Sequence, residues 1–198
     1  MRGKTKTSSA FSLVELLVVA ALLVILTVMG TSRFSTSARR KELAACQNNL
    51  QKVYLALSIY RSDNGTYPFL KDAITPEAPL SLLIPKSTTV TEIFICPGSS
   101  DKPLPEGERF AERPISYAYY MGWATNDEPQ QILMTDWQLN SAPKRKGQPI
   151  FSLDGKKPGN NHYTFGGNLL SLGGEVSGSG AKAARDLVFP PSVTLLNP

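Results

Sequence analysis

Few side chains in this 198-residue chain have types and spacings that support chemistry. His162 is its sole histidine and stands in a polar loop. One imidazole supplies one ligand, so a hydrogen-bonding surface role outweighs metal ligation there. Asp136 and Asp154 are single acids near turns. No nucleophile is spaced with a base, no carboxylates pair, and no glycine-rich phosphate loop is recognisable. Calcium would need several converging oxygens, and no acidic cluster supplies them. The sequence therefore predicts no catalytic centre, no metal site and no cofactor. Two features remain, a pair of cysteines and a glutamate inside an apolar run.

Cys46 and Cys96 are the only cysteines. The first lies on an apolar helical stripe, the second ends a strand-like run before Pro97. In an exported domain a bond between them would tie helix to sheet across a loop of about 50 residues, worth roughly 3–4 kcal/mol in the chain-entropy model. The alternative is a buried free Cys46 and an unrelated Cys96. Both stay open, because sequence does not supply the Cα separation on which a bond depends.

The glutamate is Glu15. It lies within Phe11 to Gly30, an otherwise aliphatic run in which it is the single charge. At a rise of roughly 1.5 Å per residue this run spans about 30 Å, the thickness of a bilayer's hydrocarbon core. It predicts a membrane-spanning helix over residues 11–30. An acid near mid-bilayer costs on the order of 2.5–3.5 kcal/mol on insertion scales, so Glu15 demands a partner.

The leader carries Arg2, Lys4 and Lys6 without an acid, Ala10 precedes Phe11, and Phe11-Ser12-Leu13-Val14-Glu15-Leu16-Leu17 follows. This stretch resembles the type IV prepilin signature of pilins and of type II secretion pseudopilins. The family usually has glycine before the cut, where this chain has the next smallest residue, Ala10. A secretory signal peptide is the competing reading, but the apolar run is longer than the usual 7–15 residues and contains an acid. The resemblance implies that prepilin peptidase cleaves between Ala10 and Phe11, that Phe11 becomes N-methylated, and that Glu15 pairs with a neighbouring subunit's amino terminus during assembly. It further implies other pilin or pseudopilin subunits, inner-membrane assembly machinery and the lipid bilayer as partners. The expected placement is single-pass in the inner membrane, with a cytoplasmic leader and a periplasmic or extracellular head. Arg33, Arg39, Arg40 and Lys41 after the span favour the opposite orientation by charge counting, but long domains translocate largely regardless of charge.

The elements that must carry these residues follow from periodicity. Leu43, Cys46, Leu50, Val53, Leu57 and Tyr60 recur at spacings of three and four, and no proline precedes Pro68. This predicts an amphipathic stem helix over 31–62, stopped by Asp63-Asn64-Gly65. Asp63 to Pro68 also resembles the turn after the stem in type II secretion pseudopilins. Strand signals fall on 91–96, 115–121, 130–135, 168–172 and 175–177, the last two joined by Gly173-Gly174. The basic loop at Lys144 to Lys146 reads as a solvated turn. The predicted fold is α+β: a long N-terminal membrane-spanning helix continuing into a stem packed on a small antiparallel sheet. Its divisions are a leader at 1–10, the span at 11–30, the stem at 31–62, a pilin-like head at 63–176 and a weakly ordered tail at 177–198.

The head is similar to a pilin-like family ending in a histidine, a Gly-Gly-Asn and an Asp-Gly-His hairpin. His162, Gly166-Gly167-Asn168 and Leu169-Leu170 match, whereas Gly173-Gly174-Glu175 replaces the last motif. Removing residues 1–10 takes three of 21 basic side chains and leaves 18 against 16 acidic ones, so no nucleic-acid partner is expected. The predicted function is not enzymatic: a structural subunit of a type II secretion pseudopilus or type IV pilus-like filament. The alternative is a membrane-anchored or filament-borne module that binds cargo or a surface.

Overall fold

The computed structural model describes residues 12–105 and 108–198, the side chains of residues 27–36 excepted. The chain divides into two compact units, Met1–Ala38 and Arg39–Pro198. Helix α1, Leu13–Asn64, contributes to both over 52 residues. It forms because the segment lacks proline and is rich in Leu, Ala and straight-chain polar residues, which lose little side-chain freedom in a helix. Its start is held by Ser12 and Glu15. The Glu15 N–H donates to Ser12 Oγ at 3.2 Å and the Ser12 N–H to Glu15 Oε2 at 3.4 Å, a reciprocal capping box.

In the first unit the apolar side chains stand exposed, Leu13 at 79%, Leu16 at 68% and Leu17 at 63%. Among the described residues no helix is long and apolar enough to cross a membrane. This corrects two expectations, the membrane-spanning helix over residues 11–30 and the single-pass placement in the inner membrane.

In the second unit, Cys46, Leu50, Val53, Ala56 and Leu57 of α1 are buried in one core with the sheet, while Gln51, Lys52 and Leu55 face outward. Every turn from Cys46 to Leu57 contributes to this face, as spacings of three and four require. The helix is also tied by hydrogen bonds, from Tyr54 Oη to the Leu172 carbonyl at 3.3 Å and from Asn49 Nδ2 to the Ile95 carbonyl at 3.0 Å. The sheet consists of β1 (Tyr117–Met121), β2 (Ile132–Asp136), β3 (Gly167–Ser171), β4 (Val176–Ser179) and β5 (Thr194–Leu196). All pairings are antiparallel, in the order β4-β3-β2-β1-β5. β1, β2 and β3 are buried at every position, and their polar members, among them Asp136 and Asn168, are buried with the apolar ones.

Three local expectations change. Residues Thr91–Phe94 form a 3-10 turn rather than a strand. Short apolar runs do not distinguish the two by periodicity, and here Ile93 and Phe94 enter the core from a turn, Phe94 edge-on to Phe110. The tail from 177 is ordered by packing: β5 adds to the edge of β1, and Leu187, Val193, Leu195 and Leu196 are buried. Its serines, glycines and paired prolines masked these anchors. In the basic loop Arg145 and Lys146 are exposed, but Lys144 is buried. Its ammonium donates to Asn140 Oδ1 and to the Asn140 and Ala142 carbonyls, and burial lowers its pKa.

Candidate functional site

Of the residues singled out in sequence, Ala10 and Phe11 lie outside the described residues, so the cleavage and methylation positions carry no structural account. Glu15 occupies the capping box, where an acid also complements the positive end of the helix dipole. Cys46 and Cys96 are joined by a disulfide with a Cα separation of 5.2 Å. Asp154 lies on an exposed turn, where the Lys156 N–H and the Ser152 hydroxyl draw its pKa down.

The disulfide is one side of a buried polar cluster. His162, expected on the surface, is fully buried, which corrects that reading. Its Nε2 lies 3.3 Å from Cys96 Sγ and 3.3 Å from Asp136 Oδ2. Close approach of the loop after Cys96 makes room for the ring, because a Cβ on Gly98 would run into the Asn161 carbonyl and the imidazole.

Asp136 ends β2 and is likewise fully buried. A buried carboxylate persists only where donors replace its water. Oδ2 accepts from the Asn168 N–H at 2.7 Å and from Asn168 Nδ2 at 3.0 Å, and Oδ1 accepts from Asn161 Nδ2 at 3.1 Å. The two asparagine amides are anchored in turn. Asn161 Nδ2 donates to the Ser116 carbonyl at 2.7 Å and Asn168 Nδ2 to the Leu43 carbonyl at 3.2 Å. A Cβ on Gly167 would strike the Phe151 ring and Asp136 Cβ, so a glycine there lets β3 lie against the acid. Burial, with the Asp136 charge second, pushes the pKa of the neighbouring Tyr117 hydroxyl well up.

This arrangement is not a nucleophilic relay. A Cys-His-Asp triad needs the nucleophile and the acid on opposite ring nitrogens, but here both meet Nε2, and Nδ1 has no partner among the described residues. The sulfur is bonded and no face of the cluster is open to a substrate-sized group. What the cluster does is cross-link: it joins α1, the loop at 96–98, the end of β2 and the segment from Asn161 to Asn168. As potential metal ligands, Cys46, Cys96, Asp136 and His162 have atoms that all lie within 4.8 Å of one another.

No protein family, curated protein or solved structure matches this chain. The site therefore stands on its own geometry. Sequence reasoning set Asp136 aside as a single acid near a turn, and two signals could have found it. It ends an uninterrupted apolar run, Ile132 to Met134 and Thr135, that reads as a fully buried strand. The histidine and Gly-Gly-Asn motif also concentrates amide donors, Asn161 and Asn168, that require a buried acceptor.

Proposed function

We propose that this chain is a pilin-like structural subunit of a type II secretion pseudopilus or a type IV pilus-like filament, assembled through its N-terminal helix. One observation carries the reading: the prepilin-like motif opens a helix whose apolar side chains, Leu13, Val14, Leu16, Leu17 and Val18, are 51–79% exposed. A helix apolar on all sides requires other apolar surface, and copies of the same helix in a filament supply it. The head then serves as a cross-linked cap on the stem. Prepilin peptidase, sister subunits and a filament-assembly machine are the partners this reading implies.

Glu15 provides the test, since its carboxylate closes the capping box and, in the proposed assembly, pairs with a neighbour's amino terminus. Glu15→Gln keeps a capping acceptor and removes the charge, while Glu15→Leu removes both. The mature chain begins at an N-methylated Phe11 on N-terminal sequencing, and both variants are processed but do not crosslink into filaments. Normal crosslinking by Glu15→Leu, an intact Met1 or a mature terminus beyond Gly30 overturns the proposal. Assembly by Glu15→Gln alone reduces Glu15 to a cap.

A further inference from the structure

We infer that reduction of the Cys46–Cys96 bond converts the buried cluster into a site for one divalent metal ion of the zinc class. The ligands are the two thiolates, His162 Nε2 and Asp136 Oδ2. Zinc bonds of about 2.0 Å to nitrogen or oxygen and 2.3 Å to sulfur define a tetrahedron with edges of about 3.3–3.8 Å. The distances from His162 Nε2 to Asp136 Oδ2 and to Cys96 Sγ, both 3.3 Å, already match such edges. All four ligand atoms lie within 4.8 Å of one another, so freed sulfurs need only side-chain rotation to surround an ion.

The chemistry of the surroundings suits a cation. All four residues are at most 1% exposed. Asn161 and Asn168 orient the carboxylate, as outer partners of metal ligands do. The Gly98 N–H points at Cys96 Sγ at 3.4 Å, a donor that favours a thiolate. In the reduced chain two thiols and a carboxylate share one dry space, and a divalent ion offsets the two charges that ionisation of the thiols creates. Cys96 also lines a neighbouring cleft, with Asn49, Ile95, Ser99 and Asp101.

The disulfide and the ion exclude each other. A phosphine reductant gives two electrons to the bond, taking oxygen from water to become its oxide and leaving two thiols. The ion then binds with release of two protons. An oxidised dithiol takes the two electrons from the thiolates and two protons from water to become the free dithiol, which returns the protein to the disulfide and frees the metal.

The test titrates the full chain, reduced by a phosphine without oxygen, with cobalt(II) alone. The expected result is intense visible absorption of tetrahedral cobalt with a near-ultraviolet thiolate band, saturating at one equivalent and absent from the oxidised protein. His162→Ala and Asp136→Asn weaken cobalt binding by more than the ~10–100-fold typical of outer-partner changes, and Cys46→Ser, which leaves one thiolate, weakens the thiolate band. Circular dichroism accompanies every titration. A natively folded reduced chain without these bands overturns the inference, as do bands unchanged in Cys46→Ser. Should the reduced chain unfold, recovery of its native spectrum together with the bands supports the site, and cobalt that leaves it unfolded overturns it.

Discussion

Replacing Asp136 by alanine tests whether the polar cluster holds the head together. The carboxylate accepts the Asn168 N–H and the Asn168 and Asn161 amides, and His162 Nε2 lies 3.3 Å away. Each amide has a second acceptor, at Ser116 and Leu43, but every N–H aimed at the acid loses its partner. A buried donor left unsatisfied costs about 1–3 kcal/mol, so three set an upper limit near 9 kcal/mol before relaxation. Water entering the vacated space lowers this to the ~3–5 kcal/mol typical of a broken buried pair. Domains of this kind have about 5–15 kcal/mol in total. With a slope of about 1–3 kcal/mol per molar urea, the midpoint falls by about 2 M. The assay is equilibrium urea unfolding followed by circular dichroism with the disulfide intact. Combining Asp136→Ala with Asn168→Ala should expose a coupling of about 0.5–3 kcal/mol. A loss below about 1 kcal/mol at unchanged slope refutes the assignment.

The disulfide closes a sequence separation of 50, so Cys46→Ser with Cys96→Ser lowers stability by about 4 kcal/mol in the chain-entropy model. Labelling the denatured, unreduced protein checks the premise, and two reactive thiols refute it. Glu77 gives a pH signature, because its Oε2 is buried without a partner among the described residues and burial raises its pKa. With the folded value above the unfolded one, the folded state holds the proton more tightly, and that contribution is lost as pH rises through the raised value. Glu77→Gln therefore stabilises the protein at pH 7 and makes no difference below about pH 4, where the carboxyl is protonated in both states. Equal urea midpoint shifts at the two pH values would exclude this origin.

What was legible in the sequence was whatever repeats. The spacing of Cys46, Leu50, Val53 and Leu57 specifies the buried face of the stem, and Gly173-Gly174 marks the hairpin between β3 and β4, with Gly174 at a φ of +86°. The capping box was legible too, as a serine followed three residues later by a glutamate, although the glutamate drew attention for its charge in an apolar run. The cluster was not, because its members come from 46, 96, 136, 161, 162 and 168, and only the fold brings them together. β5 escaped because three residues between prolines and a terminus carry no period, and the edge of β1 makes them a strand.

That last strand has a kinetic consequence. β1 is the first strand of the sheet to be synthesised and β5 the last, yet they are neighbours, with Tyr119 opposite Leu196. Their pairing closes one of the longest loops the head contains, and such contacts form late because ordering the intervening chain must come first. Until Leu196 has left the ribosome, β1 presents an unpaired edge to whatever else is nearby. Completion of the head thereby waits for Thr194 to Leu196 to emerge, the step that seals the sheet.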